Sequence, residues 1–184
     1  SSGKYLAFLD ADDAWDKMKL DKQIKHIMNG NFDLVHCKTE YMDALGNKTG
    51  VIKKSNLNLY LTKAFGSFFS LLVSNPISLS ACIIKNTGQV RFRTDSAFHA
   101  IEDWFMWIDL ACEGKKFAFL NETLVFYRIH DTSISHKNGL TQYYKSFSLY
   151  SLLLVENKIH LMKFLILSIF NFLRILKFKI YGRH

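Results

Sequence analysis

Residues 5–16, with the sequence YLAFLDADDAWD, join a short apolar run to three carboxylates within four positions. An apolar run of this length is typical of a strand that is buried on both faces of a parallel sheet. Ligands of open α/β sheets bind beyond the carboxyl ends of the strands, so Asp10, Asp12 and Asp13 are expected where chemistry occurs. This stretch predicts an α/β fold with an acidic site at one edge of its sheet.

Further apolar segments alternate between strand-like and helical spacing along the chain. They predict strands at 32–37, 80–84, 117–120 and 124–127, a hairpin over 41–52, and helices at 17–28, 57–73, 101–112 and 140–158. The first helix is expected to begin after Asp16 and to bury Met18, Ile24, Ile27 and Met28. Strands that alternate with helices indicate an α/β sandwich.

The composition is that of a globular protein. The 184 residues are 49% hydrophobic and 22% charged with one proline, which excludes disorder and collagen. Cys37, Cys82 and Cys112 form no CxxC pair, which argues against a cysteine zinc site and fits a reducing compartment. No signal-peptide pattern precedes the first strand, so the sequence is expected to start inside a fold.

The net charge of +8 is unevenly spread. Residues 1–131 hold 16 Lys and Arg against 15 Asp and Glu, whereas residues 132–184 hold 8 against Glu156 alone. A neutral body followed by a basic, apolar tail indicates an anionic partner, either membrane lipid or nucleic acid.

Spacing alone leaves several interpretations of the three acids open. They could cap the following helix, or they could hold a divalent cation beside a diphosphate, because Mg²⁺ and Mn²⁺ commonly use only one or two carboxylates. A phosphohydrolase would use Asp10 as nucleophile and Asp12 as acid/base. A calcium EF-hand is excluded because Ala14 and Trp15 occupy the fifth and sixth loop positions.

Two other polar groups could join such a site. Glu102-Asp103 opens a helical stretch, where acids also interact favourably with the helix dipole. Arg128 and His130 follow a predicted strand; beside a diphosphate, Arg128 would supply a charged hydrogen bond, and His130 either a metal ligand or a hydrogen-bond donor to phosphate. Each pair also has an ordinary surface role, so neither is decisive by itself.

Taken together and in order, these segments resemble the family 2 glycosyltransferases, GT-A-fold enzymes that build bacterial surface polysaccharides. The similarity runs over about residues 3–136 and includes 3–15, Lys19, Leu20, Gln23, 102–107, 114–117 and 124–135. It implies a partial GT-A-like, Rossmann-related mixed sheet sandwiched by helices. Residues 1–136 would be the acceptor-side portion of the catalytic domain, and residues 137–184 a helical extension with a basic amphipathic tail.

The resemblance also implies a role for each matching residue. Asp103 would be the general base for an inverting transfer. Five residues would bind the donor, a nucleotide-diphosphate sugar such as a UDP-sugar: Asp10, Asp12, Asp13, Arg128 and His130. Asp12, Asp10 and His130 would be ligands of Mn²⁺ or Mg²⁺. The acceptor, a saccharide or a lipid-linked saccharide, would meet Glu102, Trp104, Trp107 and Asn75.

Family members carry further βα elements before the DxD strand. The sequence is therefore expected to be a fragment of a longer protein or a truncated gene product, with little or no transferase activity in isolation. The alternatives to a transferase are the DxD phosphohydrolase and a catalytically inactive, membrane-associated remnant.

The tail, residues 159–184, is predicted to be an interfacial helix. Its longest uncharged stretch, 164–173, is too short for the ~20 residues that span a bilayer. At 100° per residue a polar side (His160, Lys163, Ser168, Asn171, Arg174, Lys177) lies opposite or beside an apolar one (Leu161, Phe164, Leu165, Phe172, Ile175, Leu176).

This pattern is typical of a helix on anionic lipid and predicts a peripheral protein on the inner face of the bacterial plasma membrane. A helix packed on the body or on a partner subunit is the alternative, and a homo-oligomer stays open. Nucleic acid is not expected, because the basic residues are few and the aromatic ones lie on the wrong side.

Overall fold

The computed structural model describes residues 2–53, 67–88, 90–95, 98–130 and 139–181. The chain divides into two compact units, one comprising 1–91 with 108–131 and the other 92–107 with 132–184. The first contains a sheet with helices, and the described part of the second is helical. The sequence-derived boundary after residue 136 stays a prediction.

The described elements follow one another along the chain as strands alternating with helices. They are β1 (Tyr5–Ala7), β2 (Ala14–Trp15), α1 (Lys19–Gly30), β3 (Leu34–Met42), β4 (Lys48–Ile52), α2 (Ser67–Val73), β5 (Cys82–Lys85), α3 (Glu102–Cys112), β6 (Phe117–Arg128), α4 (Gly139–Val155) and α5 (Leu161–Tyr181). A short 3-10 helix at Leu79–Ala81 leads into β5. Residues 54–66 of the predicted helix at 57–73 lie outside the described residues, and its last part is α2.

The described strands form one mixed sheet in the order β1-β5-β3-β6-β2, with β4 paired to β3. Only β3 and β6 run parallel, and every other pairing is antiparallel. The predicted mixed α/β fold is confirmed. The prediction of β1 as a strand buried in a parallel sheet is wrong, because β1 pairs antiparallel with β5 and exposes Ala7. An apolar run reports burial, and it does not report the direction of the neighbouring strand.

The predicted strands 117–120 and 124–127 are one continuous strand, β6. The register along β3 jumps from Cys37 opposite Leu120 to Lys38 opposite Thr123, so Asn121 and Glu122 are extra residues in β6. Such a bulge interrupts the alternation of buried side chains without ending the strand, which explains why the sequence pattern suggested two strands.

Helix α1 packs on the sheet through Lys19, Gln23 and Ile27. The amide of Gln23 donates hydrogen bonds to the carbonyls of Val35 at 3.2 Å and Ala81 at 2.9 Å. Ile27 joins a buried cluster with Val35 and Ile83. The prediction that Met18 and Met28 face the core is wrong, since they are 42% and 63% exposed. The buried side of α1 consists of every fourth residue, Lys19, Gln23 and Ile27, and its central residue is a hydrogen-bonded glutamine. A count of apolar residues does not detect a side of this composition.

The predicted hairpin is confirmed. Strands β3 and β4 pair antiparallel, and the backbone N–H groups of Asp43 and Gly46 close the turn by donating to Asn47 and Asp43. Gly46 has φ of +91°, a left-handed conformation that glycine adopts without steric cost.

In the second unit, α4 and α5 pack against each other. Glu156, just after α4, accepts hydrogen bonds from both terminal nitrogens of Arg93 at 2.7 and 2.9 Å, and from Lys158 Nζ at 2.7 Å. These cations, Arg93 above all, lower the pKa of Glu156 to about 2 from 4.5.

We expect Glu156→Gln to lower the free energy of unfolding at pH 7 by about 1–2 kcal/mol. A shift from 4.5 to about 2 corresponds to at most ~3 kcal/mol, and solvent screening of this partly exposed pair reduces it. Because the folded-state pKa is depressed, the stabilisation is present above pH 4.5 and disappears as the pH falls towards 2. Urea unfolding of both proteins at pH 7, 4.5 and 3 measures this. Glu113→Gln, on an exposed carboxylate, is the control, and a pH-independent difference would contradict the assignment.

Candidate functional site

The three acids occupy a tight loop between β1 and β2. The backbone N–H of Asp13 donates to the carbonyl of Asp10 at 3.1 Å, which closes a turn around Ala11 and Asp12. On the far side of the loop, Ala14 pairs with Phe126 of β6. The acidic loop is therefore fixed between the β1 end of the sheet and β6.

The structure brings the acidic loop and the residues after β6 together. His130 Nε2 lies 2.9 Å from Asp12 Oδ2, although the two residues are 118 positions apart. The backbone N–H of Arg128 donates to Asp13 Oδ1 at 3.2 Å. Four of the five predicted donor-site residues thus contact one another, and Asp10 belongs to the same turn.

The side chain of Arg128 has a different contact from the one predicted. Its Nε donates to the carbonyl of Asp12 at 2.8 Å, and its Nη1 donates to the carbonyls of Asp43 at 3.3 Å and Ala44 at 2.9 Å. Arg128 therefore joins the acidic loop to the β3–β4 turn. Much of its hydrogen-bonding capacity is used to hold the loop, and its contact with a diphosphate stays a prediction.

Ser80 is a buried contact of the acidic loop that the sequence did not reveal. Its hydroxyl accepts a hydrogen bond from the backbone N–H of Asp10 at 3.0 Å and hydrogen-bonds the Asp13 carboxyl. Its carbonyl accepts from Trp15 Nε1 at 2.8 Å. The β1–β5 register, in which Tyr5 faces Lys85, places Asp10 opposite Ser80 if it is continued past β1. A sequence analysis that paired β1 with β5 in this register would have placed Ser80 beside Asp10.

We expect Ser80→Ala to lower the free energy of unfolding by about 1–3 kcal/mol, because it leaves the partly buried N–H of Asp10 and the Asp13 carboxyl without their hydroxyl partner. Chemical denaturation measures the loss. The matched control is Ser78→Ala, which removes only an exposed bond from Lys53 Nζ and should change stability by no more than about 0.5 kcal/mol. Equal effects of the two substitutions would contradict this role of Ser80.

The electrostatics of the loop favour a cation. Burial raises the pKa of Asp13, and the negative charges of Asp10 and Asp12 raise it further, against hydrogen bonds from Ser80 and Arg128 that lower it. Asp13 Oδ2 is buried and makes no hydrogen bond among the described residues. A bound cation would relieve the repulsion between these carboxylates.

The side chains of Asp12 and His130 fit as protein ligands of Mn²⁺ or Mg²⁺ if the substrate supplies further ligands. The described part of the chain contains no group of three or more His, Cys, Asp and Glu that could hold a metal ion. The predicted set of Asp12, Asp10 and His130 is thus not preassembled there, and Asp12 and His130 remain as neighbours. These ions commonly take one or two carboxylates and fill their other positions with water and phosphate oxygens.

The predicted base and three acceptor residues lie in the second unit, where α3 begins. Asp103 Oδ1 accepts a hydrogen bond from the backbone N–H of Trp104 at 2.6 Å. Glu102 Oε2 and Trp107 Nε1 are buried and have no hydrogen-bond partner among the described residues. Buried polar atoms without partners are uncommon and call for an explanation such as a ligand or water.

Asn75, the fourth predicted acceptor residue, lies in the first unit. Its Oδ1 accepts from the backbone N–H of Ile77 at 3.1 Å, which forms a local turn after α2. This contact gives Asn75 a structural role beside its predicted one.

Known proteins share this sequence pattern. The family model described as "Glycosyl transferase family 2" matches residues 1–92. An uncharacterized glycosyltransferase of Methanocaldococcus jannaschii is 29% identical over 77% of this chain and 49% of its own length.

Two further relatives carry names that mention a substrate or a pathway. One is UDP-Glc:alpha-D-GlcNAc-diphosphoundecaprenol beta-1,3-glucosyltransferase of Escherichia coli, 28% identical over 73% of this chain and 49% of its own length. The other is a Bacillus subtilis glycosyltransferase whose name assigns it provisionally to teichuronic acid biosynthesis. It is 27% identical over 73% of this chain and 50% of its own length. The chain spans about half the length of these curated relatives.

Proposed function

The chain belongs to glycosyl transferase family 2, and from this membership and the acidic loop we propose that it forms part of an inverting, metal-dependent glycosyltransferase of surface-polysaccharide synthesis. The donor is a nucleotide-diphosphate sugar, in the first instance a UDP-sugar. The acceptor is a hydroxyl of a saccharide or of a lipid-linked saccharide. The named E. coli and B. subtilis relatives support this class of substrate and pathway.

One contact carries the proposal. The 2.9 Å approach of His130 Nε2 to Asp12 Oδ2 joins a DxD motif to a residue that follows a distant strand. A structural turn needs only local capping, whereas this arrangement brings an imidazole from the end of β6 to the carboxylates of the acidic loop. A divalent cation commonly takes one or two carboxylates and completes its shell with water and phosphate oxygens, which supports a cation and a diphosphate at this place.

The residues would divide the chemistry between them. Asp12 and His130 would hold the cation, which when bound supplies charge stabilisation for the departing nucleoside diphosphate. Asp13, half-buried beside them, would orient the donor, and Arg128 would keep the loop in place. Asp103 would take the proton from the acceptor hydroxyl as that oxygen attacks the anomeric carbon from the face opposite the leaving group. A single displacement of this kind inverts the anomeric configuration.

The acceptor would be bound by residues near the start of α3. Glu102 Oε2 is a hydrogen-bond acceptor and Trp107 Nε1 is a hydrogen-bond donor. Both atoms are buried and have no hydrogen-bond partner within the described residues. Sugar hydroxyls can satisfy either kind of group. Trp104, which is 3% exposed, completes the proposed acceptor residues of α3, and Asn75 stays a predicted acceptor residue of the first unit.

Product stereochemistry tests the proposal. The protein is purified as its source cell makes it, and its intact mass is compared with the 21.4 kDa of this chain. It is then incubated with α-linked UDP-sugars and saccharide acceptors. Proton NMR then reads the anomeric configuration of the new bond. A β-linked product is expected. An α-linked product would overturn inversion, and phosphate release with phosphorylated Asp10 would favour the phosphohydrolase.

The basic segment 159–184 would bring the enzyme to its acceptor. We propose a peripheral location on the inner face of the bacterial plasma membrane, where a lipid-linked acceptor lies. The net charge of +7 over residues 132–184 favours anionic lipid. No described helix is long and apolar enough to cross a bilayer.

A further inference from the structure

Helix α5 turns its predicted polar side towards α4. Asn171 is buried, and its Nδ2 donates to the carbonyl of Tyr143 at 2.6 Å. The guanidinium of Arg174 lies 4.6 Å from the centre of the Tyr143 ring. Leu167 and Ile175 are buried beside Asn171. The polar side of this helix is thus used for packing inside the unit.

The opposite side of α5 is apolar and exposed. Six large side chains there are between 39% and 61% exposed: Leu165, Ile166, Ile169, Phe172, Leu173 and Leu176. At 100° per residue they fall within an arc of about 120°, and we name this arc the outer face of α5. With 21 residues the helix is about 32 Å long, so the outer face is a continuous apolar ridge.

Exposed lysines border the ridge on both sides. At 100° per residue, Lys179 lies at one border of the arc and Lys177 at the other, and both are exposed. Neither α4 nor α5 contains an acidic residue. Lysine stems can lie along apolar surface while the ammonium groups reach outward to phosphates.

The charges around the outer face of α5 decide whether a second copy of the chain or a lipid bilayer binds there. A second copy of the chain would bring two basic segments together, each of net charge +7 over residues 132–184, and like charges oppose this pairing. An anionic bilayer surface attracts the same lysines and accepts the apolar side chains among its acyl chains. The ridge and its borders match lipid in both respects.

We propose that the outer face of α5 is the membrane-docking surface of this protein, with α5 lying in the plane of an anionic bilayer. This inference rests on the membrane location in the proposed function and identifies the side chains responsible for it. Ile169 and Phe172 enter the acyl region, Lys177 and Lys179 meet the lipid phosphates, and α4 remains on the protein side.

Vesicle flotation tests the proposal on the native-length protein. Vesicles of phosphatidylglycerol mixed with phosphatidylcholine are compared with vesicles of phosphatidylcholine alone. The variant Ile169→Asp/Phe172→Asp is expected to lower the partition coefficient on anionic vesicles about tenfold or more, because it places two charges in the apolar interface. Lys177→Gln/Lys179→Gln is expected to weaken binding to the anionic vesicles only.

Val155→Asp is the matched control, because it places a charge at a 75% exposed apolar residue of the same unit that is outside α5. It should float as the unmodified protein does, and thermal unfolding confirms that every variant is folded. If the unmodified protein does not float, the membrane location itself fails. If it floats and Ile169→Asp/Phe172→Asp floats equally, only the outer face is refuted. Conversion of a dimer to a monomer by that variant, with unchanged flotation, would assign the face to a second copy.

Discussion

Asp103→Asn is expected to lower kcat by about 10²–10⁴-fold, the usual contribution of a positioned general base. Asparagine has nearly the same size, and its Oδ1 can still accept the hydrogen bond from the Trp104 N–H at 2.6 Å. It cannot take up a proton. The KM for the nucleotide sugar should change little, because the donor would be bound by the acidic loop.

Steady-state release of nucleoside diphosphate measures this effect in the native-length protein. The control is Asp109→Asn, which removes another acid from the same helix, about two turns away from Asp103, and should leave kcat within about twofold. An Asp103→Asn enzyme with unchanged kcat would show that the base is another residue. A rise in KM for the donor alone would place Asp103 in donor binding.

Asp12→Asn is expected to lower kcat by about 10²–10³-fold and to raise the Mn²⁺ concentration needed for half-maximal activity. A bound cation contributes several kcal/mol to stabilising the leaving group, and each 1.36 kcal/mol is a factor of ten in rate. The amide lacks the negative charge that Asp12 presents beside His130, so it binds the cation more weakly. Titration of activity with Mn²⁺ separates this loss from a general defect.

Asp21→Asn is the control for the loss of one acid near the loop. Asp21 lies on α1 and pairs with the exposed Lys25 at 2.9 Å, so its removal should alter neither kcat nor the Mn²⁺ dependence. The unfolding curve of the Asp12 variant should match that of the unmodified protein. A kcat reduced equally at every Mn²⁺ concentration would argue against Asp12 as a metal ligand.

Much of the fold could be predicted because local patterns and global packing agree. The β3–β4 hairpin followed from its turn residues, and α3 followed from helical spacing that ends before Gly114. The direction of β1 and the continuity of β6 could not be predicted. Strand direction depends on a partner far along the chain, and the bulge at Asn121 and Glu122 masks the alternation of β6.

The acidic loop illustrates the same limit for the candidate site. Its carboxylates were recognisable because three acids after an apolar run are uncommon, and the resemblance linked them to Arg128 and His130. Ser80 stood in an apolar segment without a motif, and only the pairing of β1 with β5 brings it to Asp10. The contacts of the Arg128 guanidinium with backbone carbonyls likewise depend on the β3–β4 turn, which no local pattern places beside β6.

Helix α5 shows a further limit of periodicity. The sequence separated a polar side from an apolar side, although Ile175 of the predicted apolar set is buried beside Asn171 and Lys177 of the predicted polar set is exposed. It could not tell which side packs inward, because a helix usually buries its apolar side. Here Asn171 finds a carbonyl partner on α4 and Arg174 finds an aromatic ring, so the polar side can be buried.

The most direct test is release of nucleoside diphosphate by the native-length protein from a panel of nucleotide-diphosphate sugars, with and without a saccharide acceptor. The assay is run in Mn²⁺, in Mg²⁺ and in a chelator. We expect release that needs both the acceptor and a divalent cation, and that Asp12→Asn lowers by about 10²–10³-fold. Binding of neither nucleotide nor metal by the native-length protein, or phosphate release through a phosphorylated Asp10 independent of Asp103, would contradict sugar transfer at the acidic loop.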